Sequence, residues 1–270
     1  MKKYDKIFII GYNKTATCSF DCLLDKNGWT TQHRDGNWEI EKSEVFSDQH
    51  PEKTNHFNFK KLAEDYAGAL FILNSRRLDA WIMSRCGHVL FNNVLMTIND
   101  GNRPTTQSWA YPSLVDICGE TRSLKVTDAI KDKYFQYIKG RIKHWVDERE
   151  SYYNDILTFF EDKRDRLLIV NIHNNWKEFV IEHVMDEHTK ITTDRMLATD
   201  RDSFKEIRGL NPSDKKLYDN FLSVHLDLAK QAMNEVLSEY SPSVKESLLL
   251  YDANDNQKFL NIYKNNFGLT

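Results

Sequence analysis

Three short apolar runs are the feature that most constrains the fold of this chain. They cover Ile7–Ile10, Ala69–Leu73 and Leu167–Ile172. Their apolar residues are continuous rather than alternating, which is typical of strands buried on both faces of a parallel sheet. Parallel strands are joined by crossover connections that are usually helical, so these runs predict an α/β fold.

Segments with helical spacing lie between and after the three runs. Their alternation with the strands predicts a central parallel sheet with helices on both faces. The predicted helices cover Ser19–Lys26, Phe59–Tyr66, Asp79–Arg85, Tyr134–Glu161, Trp176–Met185 and residues 211–240, and a weaker strand is predicted over Trp29–Gln32.

The length of 270 residues suits one large domain, and we expect a single domain over residues 1–270. Residues 92–130 do not follow the strand–helix rhythm and are rich in Asn, Thr, Ser and Gly. We expect them to form an insertion on the acceptor side of any active site. Residues 211–270 are expected to form a helical C-terminal extension.

Composition excludes several classes of protein. With 37 basic and 40 acidic side chains and a net charge of -3, the chain lacks the basic excess of a nucleic-acid-binding surface. No apolar run approaches the roughly 20 residues of a membrane span or the roughly 7–15 of a secretory signal. The 4 cysteines form no CxxC pair. They therefore favour reduced thiols in the cytoplasm.

The junction after the first run, residues 11–20, reads GYNKTATCSF. It leaves a buried strand, presents Lys14 among small and hydroxylated residues, and enters a helix. Amide groups at a helix N-terminus, hydroxyl donors and one cation together favour binding of an anion. Capping of the helix by Thr17 or Ser19 is an equally good explanation of the same residues.

The 11–20 junction differs from the ATP-binding loop G-x-x-x-x-G-K-[ST] because its lysine precedes the small residues. The other strong runs end near Asn74 and Asn171, so no aspartate is offered for Mg²⁺. A nucleotide kinase is therefore the weaker interpretation, and no metal site is predicted.

A second set of polar residues follows the second run. Arg76 lies near the end of this strand, three residues after Leu73, and Ser84 lies eight residues later, about two helical turns on. The two side chains can converge on one phosphate group. A solvated basic turn is the simpler explanation if this segment is taken alone.

Together these motifs resemble the sulfotransferase family that uses 3′-phosphoadenosine-5′-phosphosulfate (PAPS). The family's phosphosulfate loop, G-x-x-K-T-G-T-T-S-L, is similar to GYNKTATCSF, and its R-D-P-x-x-W-x-x-S motif is similar to the segment from Arg76 through Trp81 to Ser84. Arg166–Asn171, with Asn175-Trp176 after it, resembles the family's late strand and helix. The resemblance covers about residues 5–185 and implies a three-layer, P-loop-like domain.

The chain departs from the family pattern at four places. Ala16 replaces a glycine, Cys18 replaces a threonine, Arg77-Leu78 replaces Asp-Pro, and Asn175 replaces a glycine. The extra methyl group of Ala16 fits unless that backbone position requires a positive φ. Cys18 lacks a hydroxyl donor but keeps its backbone amide.

The resemblance implies transfer of a sulfuryl group from PAPS to a hydroxyl or amine acceptor, without a metal. Lys14 would stabilise the leaving phosphate, and Arg76 and Ser84 would bind the 3′-phosphate. Asp48 and His50 are the two candidates for the general base, and His33 is a more remote one. The residues expected to hold the 5′-phosphate are Lys14, Thr15, Ala16, Thr17, Cys18 and Ser19.

Two other functions remain open. The chain could be a P-loop kinase of nucleosides or small molecules, or a nucleotide-binding module whose catalysis is impaired by Ala16 and Cys18. For the sulfotransferase, the partner is a small-molecule, carbohydrate or lipid acceptor. Neither a nucleic acid nor a membrane span is expected, and the oligomeric state is undetermined.

Overall fold

The computed structural model describes residues 2–33, 40–47, 58–87, 127–172, 176–185 and 212–240. The chain divides into two compact units. The first comprises Met1–Arg77, Arg149–Arg201 and Glu246–Thr270, and the second comprises Leu78–Glu148 and Asp202–Lys245. Most of the predicted 92–130 insertion lies outside the described residues, and the single-domain assignment stays a prediction.

The first unit contains a five-stranded parallel sheet with the order β2-β3-β1-β4-β5. The α/β prediction, with a central parallel sheet flanked by helices, is confirmed. The strands are β1 Ile7–Ile9, β2 Thr31–His33, β3 Val45–Ser47, β4 Leu70–Ser75 and β5 Leu167–Asn171.

Helices follow or precede the strands as the periodicity predicts. In the described part of the chain they are α1 Thr17–Lys26, α2 Phe59–Asp65, α3 over residues 78–87, α4 Asp128–Phe159, α5 Trp176–Val184 and α6 Pro212–Ser238. None of these helices is long and apolar enough to cross a membrane.

Alternate residues of β1 point to opposite faces of the sheet, as in any strand. Ile7 and Ile9 belong to a buried cluster that includes residues of α1 and α5, where the rings of Phe20 and Trp176 lie 4.4 Å apart. Phe8 faces the other way and lies 5.3 Å from the ring of Phe71.

On that second face, the ring of Phe71 lies 4.9 Å from that of Phe160, at the end of α4. The ring of Phe59 in α2 also lies near Phe160, with centroids 6.3 Å apart. The sheet is thus buried between two layers of helices, which explains why its central strands are apolar on both faces.

The second unit is helical in its described residues. The first part of α4 pairs with α6 through Lys139 and Glu235, 2.8 Å apart, and through Lys143 and Glu239, 3.1 Å apart. The guanidinium of Arg85 in α3 lies 4.7 Å from the ring of Trp145, a cation–π contact inside this unit.

Tertiary pairing shifts several predicted boundaries. β4 continues through Asn74 and Ser75, beyond the apolar run, because both residues pair with β5. The short strand β3 was missed because three residues in a polar setting carry no clear pattern. α1 begins at Thr17 rather than Ser19, because Ala16, with its left-handed backbone, is the N-cap of the helix.

Candidate functional site

The 11–20 junction begins at the carboxyl end of β1, the central strand of the sheet. Its hydrogen-bonded neighbours are β3 on one side and β4 on the other. Ligands of open parallel sheets bind at the carboxyl ends of strands, where the strand order reverses. The junction therefore lies at the position where such a sheet binds a ligand.

Asn74, near the end of β4, holds the first half of this loop at two points. Its Oδ1 accepts a hydrogen bond of 2.8 Å from the Gly11 amide. Its Nδ2 donates to the Thr15 carbonyl at 2.8 Å and to Thr15 Oγ1 at 2.7 Å. The Thr15 hydroxyl in turn donates to the carbonyl of Tyr12. The loop is thus held to the neighbouring strand by a buried amide.

Gly11 is required by this close approach. A Cβ atom at this position would lie 2.2 Å from the backbone oxygen of Asn74 and 2.2 Å from its Oδ1. No real side chain tolerates such distances, so the glycine allows Asn74 to reach the loop.

The backbone of the loop alternates in sign of φ. Lys14 has a φ of 66° and Ala16 a φ of 68°, and they are the only non-glycine residues with positive φ in the described segments. Alternating backbone conformations of this kind turn successive amide groups toward one side and form a concave anion site. Lys14, Thr15 and Ala16, predicted to hold a phosphate, form this backbone turn.

Ala16 is also the N-cap of α1. Its carbonyl accepts the amide of Ser19 at 2.8 Å and that of Phe20 at 3.1 Å. The amides of Thr17 and Cys18 therefore precede the first internal hydrogen bonds of the helix, in the turn at which helices bind anions. The amide of Ser19, predicted to hold the phosphate, already donates within the helix.

Ala16 stands where the sulfotransferase family prefers a glycine, and its φ shows that this backbone position is left-handed. The position requires a positive φ, which costs an L-residue about 1–2 kcal/mol. Ala16 thus adopts the backbone conformation that a glycine would adopt here, and its Cβ atom makes that conformation strained.

Arg76 reaches the loop from the end of β4. Its Nη1 donates to the Lys14 carbonyl at 3.3 Å. The two cationic residues singled out from separate motifs therefore meet at neighbouring strand ends, although 62 positions separate them in sequence.

Arg149 supports this arrangement from α4 and was missed in the sequence. It is fully buried, and its Nη2 donates to the Arg76 carbonyl at 3.1 Å and to Ser75 Oγ at 3.3 Å. Its Nη1 lies 3.9 Å from Glu150 Oε1. An arginine in an amphipathic helix is normally exposed, so no signal in the sequence marks this one as buried.

Two tyrosines of α4 bind the same strand ends. The Tyr152 hydroxyl donates to the Ile10 carbonyl at 3.0 Å, and the Tyr153 hydroxyl donates to the Asn74 carbonyl at 3.1 Å. Burial raises the pKa of both phenols, so they remain neutral donors at physiological pH. These contacts fix the strand ends on which the loop is built.

A third group of polar residues lies at the ends of β2 and β3. His33 Nε2 lies 2.9 Å from Cys18 Sγ, and His33 Nδ1 lies 2.7 Å from Ser47 Oγ. Asp21, one turn after Cys18 on α1, interacts electrostatically with His33. The sequence offered His33 only as a remote candidate base, and its contact with Cys18 was not foreseen.

The described contacts do not join the other predicted site residues to the 11–20 junction. Ser84 lies in α3, within the second unit, and its convergence with Arg76 stays a prediction. Asp48 and His50 lie outside the described residues. Where the chain is described, no three His, Cys, Asp or Glu side chains are grouped so that they could hold a metal ion.

No family model matches the chain, and neither the curated proteins nor the solved structures include a match. Its function must therefore be argued from its own residues.

Proposed function

We propose that this protein is a PAPS-dependent sulfotransferase that transfers a sulfuryl group to a hydroxyl or amine acceptor. The observation that carries the proposal is the contact between Arg76 and Lys14 at the carboxyl ends of β4 and β1, beside a backbone turn suited to an anion. A donor that carries a phosphosulfate on the 5′-oxygen and a second phosphate on the 3′-oxygen of the same ribose needs two such cationic residues close together.

The 11–20 junction would bind the phosphosulfate end of the donor. The amides around Ala16 and at the start of α1 would hold the 5′-phosphate oxygens, and the Thr17 and Ser19 hydroxyls would add donors. Lys14 would stabilise the negative charge that grows on the bridging oxygen as the sulfur–oxygen bond breaks. Catalysis of this kind depends on position and charge, and in this proposal it needs no metal.

Arg76 and Ser84 would bind the 3′-phosphate, the group that distinguishes PAPS from ATP. Arg149 contributes indirectly, because its hydrogen bonds to the Arg76 carbonyl and to Ser75 hold the backbone from which Arg76 extends. A guanidinium fixed at its backbone loses less entropy on binding a phosphate.

A base must take the proton of the acceptor as its oxygen or nitrogen attacks the sulfur. Both ring nitrogens of His33 contact other side chains, namely those of Cys18 and Ser47. We therefore keep Asp48 and His50 as the candidates for this role. The acceptor is a small-molecule, carbohydrate or lipid hydroxyl or amine, and we place the reaction in the cytoplasm.

Thermal unfolding with two ligands tests the choice of donor. We expect 3′,5′-adenosine bisphosphate to raise the melting temperature more than ATP with Mg²⁺. A ligand at 100 times its dissociation constant adds about 2.7 kcal/mol to the unfolding free energy. The increase should be lost in Arg76→Ala. A larger increase with ATP and Mg²⁺ would instead support a kinase.

Lys14→Ala tests the catalytic role. We expect it to abolish sulfuryl transfer from PAPS while the exposed Lys26→Ala, in the last turn of α1, transfers at the wild-type rate. Unchanged turnover in Lys14→Ala would exclude the mechanism. Binding of the bisphosphate without turnover in the wild type would indicate a binding module, the alternative favoured by the strained φ of Ala16.

A further inference from the structure

We propose that Cys18 is a reactive thiol, activated by His33, that soft electrophiles and hydroperoxides modify. The inference is independent of the sulfotransferase proposal, because it rests on the contacts of the thiol and not on the ligand of the loop.

The geometry is that of a nucleophile with an oriented base. Cys18 Sγ and His33 Nε2 lie 2.9 Å apart, within the reach of proton transfer. Ser47 Oγ lies 2.7 Å from Nδ1 on the far side of the ring. With the Nδ1 proton donated to Ser47, Nε2 carries the lone pair that accepts the thiol proton.

The surroundings of the pair favour its charged form, a thiolate beside an imidazolium. Cys18 is the second residue of α1, where the helix dipole stabilises a negative charge. Asp21 interacts with His33 and is the acidic group that faces the imidazole from α1. Its carboxylate favours the imidazolium once it is ionised.

Cys86 shows the opposite environment. Burial raises its pKa to about 12, so it stays a neutral and inert thiol. Cys18 is only half-buried, and a small reagent can reach it.

The oxidation proceeds in two balanced steps. The thiolate attacks the distal oxygen of a hydroperoxide, the oxygen–oxygen bond breaks, and the alcohol or water that leaves takes the imidazolium proton, giving a sulfenic acid. A thiol such as glutathione then loses its proton and attacks the sulfur as a thiolate. The sulfur–oxygen bond breaks, and the leaving hydroxide takes up that proton to become water as the mixed disulfide forms.

Cys22 is poorly placed to be this second thiol. It lies four residues after Cys18 on α1, and Cβ atoms at this spacing are about 5–6 Å apart. A disulfide needs about 3.5–4.5 Å. The product is therefore a mixed disulfide with a small thiol, and exposed Cys22 serves as an internal reference.

Iodoacetamide labelling of the full chain, read by peptide mass spectrometry between pH 5.5 and 8, tests the proposal. At pH 6 we expect Cys18 to be alkylated at least about tenfold faster than Cys22, although Cys22 is more exposed, because the contact with His33 favours the thiolate of Cys18. Alkylation of Cys18 at or below the rate of Cys22 would overturn the proposal. This comparison needs no variant.

His33→Asn tests the partner. We expect Cys18 labelling at pH 6 to fall about tenfold relative to that of exposed Cys22, while buried Cys86 stays unlabelled as the sign that the fold is kept. Ser47→Ala provides a second variant, with a smaller loss in the same direction because the ring loses its orienting contact. Wild-type labelling of Cys18 in folded His33→Asn would refute the role of the imidazole.

Discussion

At the scale of single residues, Ala16 is a non-glycine residue in a backbone conformation that favours glycine. Its φ of 68° belongs to the region that glycine enters without cost. The neighbouring Lys14, with φ 66°, bears a similar strain. Strained non-glycine residues persist when the surrounding contacts over-determine them, and the two hydrogen bonds that Asn74 donates to Thr15 provide such contacts here.

Ala16→Gly should therefore stabilise the protein or leave it unchanged. Relief of the left-handed strain offers about 1–2 kcal/mol, and the greater freedom of unfolded glycine removes about 0.5–1 kcal/mol. Ala80→Gly, in α3, is the control and should lose about 1 kcal/mol. Urea unfolding measures both, and equal losses in the two variants would contradict the left-handed conformation of Ala16.

At the scale of elements, β4 organises the loop that follows β1. Asn74 bonds both to Gly11 and to Thr15, and Arg76 reaches Lys14 from the same strand end. Arg149 of α4 also holds that strand end, by a hydrogen bond to the Arg76 carbonyl. The conformation of the 11–20 junction thus depends on two elements that lie far from it in sequence.

Asn74→Ala should cost about 2–6 kcal/mol of unfolding free energy. It leaves the Gly11 amide and the Thr15 carbonyl without their buried partner, at about 1–3 kcal/mol for each group. Combined with Thr15→Val, it should show a coupling of about 1 kcal/mol, because both changes remove the same hydrogen bond.

Asn27→Ala is the matched control for Asn74→Ala. Its side chain also donates to a backbone carbonyl, that of Leu23 at 2.8 Å, but at the half-buried end of α1. We expect a loss below about 1 kcal/mol there, since water can replace the partner. Strict additivity of Asn74→Ala and Thr15→Val would mean that the two side chains do not share a bond.

At the scale of the whole molecule, the charges near α1 make stability depend on pH. Burial raises the pKa of Asp21 above its ordinary value of 3.8, and this outweighs the opposing effects of a hydrogen bond to Thr31 and of the His33 charge. The folded state therefore binds this proton more tightly than the unfolded state. The resulting stabilisation is complete below the unfolded pKa and is lost as pH rises through the folded pKa.

Asp21→Asn should remove this dependence. The free energy of unfolding of the variant minus that of the wild type should be larger at pH 7 than at pH 3. The wild type loses stability as Asp21 loses its proton, and the variant has no such proton to lose. Urea midpoints across that range measure the difference. An Asp21→Asn difference that is constant from pH 3 to pH 7 would contradict the burial of this carboxyl.

Much of the fold could be predicted because the strands of a doubly covered sheet must be apolar. β1, β4 and β5 and all six described helices were predicted to within a few residues, except at the start of α4. Sequence reasoning failed where the decisive partner is distant. Arg149 looked like a surface residue, and His33 like an ordinary polar side chain.

The sequence by itself determined the parallel α/β architecture and the presence of Lys14 and Arg76 after two of its strands, because local hydrophobic pattern controls both. Only the tertiary structure decided which strands are neighbours, that Arg76 meets Lys14, that Ala16 adopts a positive φ, and that Cys18 contacts His33. These features depend on contacts such as that of Gly11 with Asn74, across 63 positions of sequence. No local pattern encodes such a contact, because it exists only once the sheet has brought the strand ends together.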